Sequence, residues 1–306
     1  MNPGYKPRPE DKALNQVEPI SPASRCIKNF IFRDRKLVLG QRTYIMGILN
    51  VTPDSFYDGG RHFNPEDALR QAERMIDEGA DIIDIGGEST RPGSTGVSEE
   101  EELRRVIPVI REFTKRFDLT LSIDTTKAKV AEEALEEGVS IVNDISGLRF
   151  DPGIAEVAAK YGAGLVLMHT PSRPRDMQNK TVYSSLIDDV MNSLRRSIEL
   201  AEDKGVHPES ILIDPGFGFG KTAEQNLVLL KHLSRFLDLD KPILIGTSRK
   251  SFIGRVLGHD LPEDRLEGTA ATIAIGIMNS ASVVRVHDVL YMRRVAEITD
   301  AVINAN

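Results

Sequence analysis

The sequence predicts an α/β chain closed as a (β/α)8 (TIM) barrel, with a short N-terminal β-hairpin in front of it. Three observations point there. From Tyr44 onward, short runs rich in Ile, Val and Leu alternate with longer segments whose apolar residues recur at helical spacing. About eight such pairs fit into roughly 260 residues, the size of such a barrel. The residues that follow each apolar run are polar or charged, whereas the runs themselves are almost purely aliphatic. Strand–helix alternation demands a parallel sheet. A doubly wound open sheet is the alternative, and it sets no strand number.

Taken in order, residues 1–25 are polar and proline-rich, lack the apolar stretch of a signal peptide, and read as a flexible tail on a single domain of residues 26–306. Ile27–Phe32 and Leu37–Gly40 flank Arg33-Asp34-Arg35-Lys36 and make the hairpin. Tyr44–Val51 is the first barrel strand. Asn64 caps a helix over Pro65–Glu78, striped by Ala68, Leu69, Ala72, Met75 and Ile76 and stopped by Gly79. After the strand Asp81–Gly86, Ser98 and Glu101 form a capping box that opens a helix to Arg116. Leu119–Asp124, Val139–Ile145 and Gly164–His169 are strands, interleaved with helices over Lys127–Glu137 and Pro152–Tyr161. A long helix, Tyr183–Lys204, leads to the strand Ile211–Asp214 and a helix from Ala223 to Phe236. Ile243–Gly246 and Val283–Val286 are the last strands, with helical segments through Met278 between them and Val289–Asn304 after them.

Composition narrows the function. A net charge of -7 and a pI near 5.5 argue against nucleic acid as the main partner, while leaving room for a basic pocket. The single cysteine, Cys26, excludes a disulfide framework and fits a reducing, cytoplasmic setting. No apolar run is long enough to span a membrane.

Barrel active sites lie at the C-terminal ends of the strands. In chain order those ends offer Asn50, then Asp84 with Glu88-Ser89-Thr90-Arg91-Pro92-Gly93, then Asp124, Asn143 with Asp144, Met168 with His169, Asp214, Arg249 with Lys250, and Arg285 with His287. Asp124, Asn143 and Asp214 near strand interiors need donors. A planar 2-amino-4-oxo ring, as in guanine or pterin, supplies two parallel N–H bonds to a carboxylate. Arg285, His287, Arg91 and Asn50 read as the opposite end, where guanidinium and imidazolium groups meet phosphate oxygens. The Asn50 oxygen suits Mg²⁺, a hard ion bound alongside phosphates and water. Lys250 reads either as a Schiff-base nucleophile or as a ligand clamp. Gly216-Phe217-Gly218-Phe219-Gly220-Lys221-Thr222 imitates a P-loop, but Pro215 stands where its first glycine belongs. Those glycines instead let backbone approach a flat ligand, with Phe219 packed on it.

These stretches resemble the dihydropteroate synthase family. Ile48-Leu49-Asn50-Val51-Thr52-Pro53-Asp54-Ser55-Phe56, Asp84-Ile85-Gly86-Gly87-Glu88-Ser89-Thr90-Arg91-Pro92-Gly93 and Ser122-Ile123-Asp124-Thr125 are similar to its motifs. So are Asn143-Asp144-Ile145-Ser146-Gly147, Asp214–Thr222, Ser248–Gly254 and Arg285-Val286-His287-Asp288-Val289, in the same order. The departures are Gln225, where the family usually has histidine, and the loop Thr170–Gln178.

The resemblance implies condensation of (7,8-dihydropterin-6-yl)methyl diphosphate with 4-aminobenzoate, in folate synthesis, by a Mg²⁺-assisted homodimer. It implies that Asp124, Asn143 and Asp214 hold the pterin edge, with Met168 in the wall, Lys250 on the ring's oxygen and nitrogen, and Arg285 stacked on its face. Asn50 then binds Mg²⁺, His287, Arg285 and Thr90 hold the diphosphate, and Thr90, Arg91, Pro92, Phe219, Lys250 and Ser251 surround the aminobenzoate. Asp58 on the first loop is expected to pair with Arg91 on the second when both close. The rival readings are a pterin-binding methyltransferase, a Schiff-base aldolase using Lys250, and a non-catalytic pterin binder.

Overall fold

The computed structural model of the chain describes residues 27–52, 64–91, 93–179, 181–258 and 261–305. The expected N-terminal tail, Asp58 and Pro92 lie outside the described residues. The predicted barrel is present. Eight parallel strands close in the order β3 to β10, and β10 pairs back onto β3. They are β3 (Tyr44–Asn50), β4 (Ile82–Gly86), β5 (Thr120–Asp124), β6 (Ile141–Asp144), β7 (Gly164–Met168), β8 (Ile211–Asp214), β9 (Ile243–Ile245) and β10 (Ala281–Val286). The hairpin is β1 (Lys28–Phe32) against β2 (Arg35–Leu39), antiparallel and shifted from the expected second strand by the turn at Arg33, whose φ is 51°.

The helices are α1 (Pro65–Asp77), α2 (Glu99–Arg116), α3 (Ala128–Glu136), α4 (Gly153–Tyr161), α5 (Leu186–Asp203), α6 (Ala223–Lys231), α7 (Ser251–Leu257), α8 (Leu266–Met278) and α9 (Val289–Ile303). Local chemistry explains most of their starts. Asn64 accepts from Glu66 N–H, as an N-cap does. At α2 only half of the expected capping box forms. Ser98 accepts from Glu101 N–H, while the Glu101 carboxylate turns outward to Arg104 and Arg105, which are stronger donors than a backbone amide. A complete box occurs instead at α6, where Thr222 and Gln225 exchange side-chain and backbone bonds. The residue that departs from the family pattern is thus used locally, and its amide also reaches Thr181 O. The helix predicted to run to Phe236 stops at Lys231 and tightens into a 3-10 stretch, Leu233–Leu239.

The barrel interior is layered. Side chains alternate in and out along a strand, so every second residue faces the axis. One inward layer is apolar: Met46, Ile82, Ile141, Val166, Leu212, Leu244 and Val283. Phe30, Phe32 and Leu39 of the hairpin join this cluster and plug the N-terminal mouth. Gly164 makes room for the plug, since a Cβ there would come within 2.6 Å of Phe30 Cζ. Two residues further along each strand, on the same inward face, stand Ile48, Asp84, Ser122, Asn143, Met168, Asp214, Gly246 and Arg285. The barrel is therefore an apolar cup, closed below and polar above. A second apolar cluster, between strands and helices, surrounds it.

Candidate active site

The polar layer is knitted by Arg285. Its Nε donates to Asp84 Oδ2 at 2.6 Å and its Nη2 to Asp124 Oδ2 at 2.7 Å. Asn143 Nδ2 donates to the same Asp84 oxygen at 2.9 Å. This corrects the expectation that Arg285 sits with Arg91 at the phosphate end, away from the acids. Its long side chain reaches across from β10 to β4 and β5, because carboxylates buried that deeply require a donor. Asp84 is fully buried, and Asp124 and Asn143 are nearly so. Asp84 was visible as a polar residue in an aliphatic run but was assigned no role. The signal was its position: an acid flanked by Ile83 and Ile85, at an inward register position of a barrel strand.

On the other wall, Asp214 ends β8 and accepts from Gly216 N–H at 2.7 Å through Oδ1. Burial pushes Asp124 up to about 7, against the pull of Arg285, and pushes Asp214 up to about 6. Met168 packs with Ile145, Met177 and Phe219 in a small apolar cluster beside these acids. Lys250 leans over it, with Nζ 4.2 Å from the centre of the Phe219 ring. Burial and the nearby Arg285 charge bring Lys250 down to about 8. Asp144 is a turn-former rather than a site group, as it accepts from Ser146 and Leu148 N–H.

Lys250 is aimed by a costly backbone. Arg249 has φ 57°, in the left-handed region that non-glycine residues seldom occupy. It is held there by two bonds to Asp288, at 3.0 and 2.6 Å, and by Arg265, which donates to Arg249 O at 2.8 Å. Ser248 positions His287: its Oγ accepts from His287 N–H and lies 3.0 Å from Nδ1. Burial, then the charges of Arg285 and Arg249, bring His287 down to about 3. It is a neutral N–H donor, not the imidazolium expected from the sequence.

Asn50 is half-buried at the end of β3. Among the described residues no group of three or more His, Cys, Asp or Glu side chains is placed to hold a metal. One amide oxygen fits Mg²⁺ carried by substrate phosphates and water, and not a protein-caged ion. Thr90 lies on the loop after β4 and lines a small cavity with Asp124, Arg173 and Pro174. Arg91 is exposed on the same loop. That loop is tied down by Gly93 N–H, which donates to Pro174 O, and by Glu88, which accepts from Val97 N–H and from Lys127. Ser251, exposed at the start of α7, borders a cleft of about 420 Å³ with Gly218, Phe252 and Arg255. The structure therefore brings together Asp124, Asn143 and Arg285 in one group, and Met168, Phe219 and Lys250 in another with Asp214 on the same wall. Ser251 follows Lys250 directly.

The chain matches the family model described as "Pterin binding enzyme" over residues 46–287. It is 52% identical over 267 residues to the dihydropteroate synthase of Clostridium beijerinckii, covering 87% of this chain and 96% of the relative. The Escherichia coli (strain K12) dihydropteroate synthase is 44% identical over 262 residues, 86% of this chain and 92% of that one. Among solved structures, a Clostridium difficile dihydropteroate synthase in the presence of pteroic acid superposes with a TM-score of 0.82 at 51% identity, over 86% of this chain and 98% of that chain. A Xanthomonas albilineans dihydropteroate synthase with 4-aminobenzoic acid gives 0.83 at 42%, over 90% and 99%.

The Arg285 network sets an expected outcome. Asp84→Asn removes one carboxylate from a buried pair while keeping its size. It should destabilise the fold by about 3 kcal/mol in denaturant titration and lower kcat/KM by more than tenfold through misplacement of Arg285 and Asn143. Wild-type stability together with wild-type kcat/KM would remove Asp84 from the site.

Proposed function

The chain belongs to the pterin-binding enzyme family, among its dihydropteroate synthases, and we propose that its barrel mouth joins (7,8-dihydropterin-6-yl)methyl diphosphate to 4-aminobenzoate. Enzymes of this family are transferases of folate synthesis, so the substrates are small molecules. The observation that carries the residue roles is the set of buried groups at the barrel mouth: Asp124, Asn143 and Asp214 beside Lys250 and Arg285.

The pterin lies on that layer. Asp214 and Asn143 take its N–H edge, Met168 forms the wall, and Lys250 donates to the ring oxygen and nitrogen. Arg285 stays bonded to the acids and lies against the ring face. The diphosphate points to the loop side, where His287 and Thr90 donate to it. Mg²⁺, held by Asn50 together with the phosphates and water, would neutralise part of the leaving charge.

The C–O bond to diphosphate breaks first, and the electron pair leaves with it. The positive charge left on the pterin methylene spreads into the ring, facing Asp124 and Asp214. The neutral amine of aminobenzoate then attacks that carbon and loses a proton, which completes 7,8-dihydropteroate. Phe219, Pro92 and the stem of Lys250 sandwich the aminobenzoate ring, and Ser251 with Thr90 and Arg91 surrounds its carboxylate. Closure of the first two loops, with Asp58 paired to Arg91, keeps water from trapping the cation. A Schiff-base role for Lys250 is disfavoured. Its Nζ is seated on the face of the Phe219 ring.

A homodimer is part of the same reading. Leu227 and Val228 on α6, Ile275 on α8, and Tyr291, Ile298 and Val302 on α9 are exposed apolar side chains, enough for a second copy to cover. A cytoplasmic location is also part of it, favoured by the single cysteine. Among the described residues no helix is long and apolar enough to cross a membrane.

The deciding experiment is release of diphosphate from the pterin substrate. It is expected to require both 4-aminobenzoate and Mg²⁺, and failure with folded protein would overturn the reading. The pH dependence tests Asp214. Its pKa is raised by burial, so the carboxylate that receives the ring N–H bonds is lost as pH falls through about 6. Calorimetric affinity for a pterin lacking the diphosphate should therefore weaken across that range, and Asp214→Asn should flatten the profile. Sedimentation equilibrium should give twice the 33.9 kDa chain mass, and monomer mass would remove the dimer.

A further inference from the structure

Lys221 has no place in this chemistry, yet it is one of the most enclosed charges in the molecule, with only 3% of its surface exposed. It ends the glycine stretch that mimics a P-loop, and its side chain folds back onto that stretch. Gly216, Gly218 and Gly220 have φ of 76°, 79° and 58°. Left-handed geometry at three alternate positions is open to glycine alone at little cost, and it leaves the segment with high intrinsic freedom. Yet this segment supplies the Gly216 N–H that orients Asp214, and it carries Phe219.

What holds it is a set of bonds converging on its carbonyls. Lys221 Nζ donates to Gly216 O at 2.9 Å and to Phe219 O at 3.1 Å, and lies 3.1 Å from His169 Nδ1. Burial brings Lys221 down to about 7, and in its ammonium form its three N–H groups match these three partners. His169 is neutral, brought down to about 2 by burial and by the charges of Lys221 and Arg149, so Nδ1 can accept. Among the described residues no carboxylate bonds Lys221; Asp214 acts on it only through its charge, against that of Lys250. Gln178 and Tyr183 reach one carbonyl each, Gly218 O and Gly220 O, from outside the segment. Asn226 fixes Gly218 N–H. Among the described residues Lys221 alone bridges two carbonyls of Gly216–Gly220, those of Gly216 and Phe219, and ties both to His169 beyond β7.

We infer that Lys221 is a positioning residue, which clamps the Gly216–Gly220 loop through its two carbonyls and His169 so that Phe219 and the Gly216–Asp214 contact are preset for the two substrates. The inference rests on the reading of Asp214 and Phe219 as substrate contacts. A buried charge bound only to neutral acceptors is an expensive way to fill space, and the position of the loop is what its three bonds secure.

The test is Lys221→Met, which keeps the length and apolar stem and deletes all three donors. Amide hydrogen exchange over residues 215–222 is expected to speed up about tenfold or more, with the barrel strands unchanged. KM for 4-aminobenzoate should rise about tenfold, the effect of about one lost hydrogen bond, with a smaller change in kcat. Unchanged exchange in that segment overturns the clamp. Faster exchange with both Michaelis constants unchanged overturns the positioning role. Should Lys221→Met not fold, a pair at His169 decides. His169→Asn keeps an acceptor near the Nδ1 position and should behave as wild type, whereas His169→Leu should reproduce the faster exchange and raised KM; equal behaviour of the two overturns the inference. Exchange is read without turnover, so failure of the wild-type protein to release diphosphate is seen separately.

Discussion

The guanidinium of Arg285 between Asp84 and Asp124 is the constraint on which the barrel mouth depends. Two carboxylates on neighbouring strands of a closed barrel, both withdrawn from water, repel one another and lose their hydration. A single planar cation that donates to both at 2.6 and 2.7 Å turns that conflict into a brace across β10, β4 and β5. Asn143 extends it to β6 by donating to the oxygen that Arg285 already uses. A lysine in place of Arg285 has no fork with which to span the pair. The apolar cup below depends on the same brace, because the strands that carry Asp84, Asn143 and Arg285 also carry Ile82, Ile141 and Val283 two residues earlier.

The brace also suits the chemistry. Three buried carboxylates, Asp84, Asp124 and Asp214, face the cations Arg285 and Lys250, with Lys221 also acting on Asp214. Burial raises Asp124 and Asp214, so both carboxylates gain from positive charge placed beside them. In the proposed reaction a ring that gains positive charge as diphosphate leaves would supply it. On that reading the environment favours the transition state more than the neutral ground state, which is the condition for a rate gain.

The number and order of the barrel strands were legible, because alternation of aliphatic runs with amphipathic ones is a long-range signal. The errors were local. At Glu101 two arginines outcompeted a backbone amide, and after Lys231 the chain tightened into a 3-10 stretch with no proline or glycine to announce it. At the barrel mouth the sequence offers Asp84 and Asp124 alike as polar groups after aliphatic runs, but not that one guanidinium bridges them. Arg285 was legible as a charge but not as a reach: sequence gives the type of a long side chain and not the direction it takes. His287 was misread in charge state because the desolvation that neutralises it comes from the whole mouth and not from its neighbours in sequence.

Lys250 shows how such a mouth restrains reactivity. Its Nζ rests on the ring of Phe219. Gly218 lets it lie there, since a Cβ at that position would come within 2.9 Å of Lys250 Cδ. Its direction is set from behind by Arg249, whose left-handed backbone costs on the order of 1–3 kcal/mol and is offset by the paired bonds to Asp288. The amine is thus fixed in place as a hydrogen-bond donor and an aromatic cap. Covalent chemistry would require it to be neutral and free to swing toward a carbonyl. The same local geometry that aims it at a flat ring removes the freedom that a nucleophile needs.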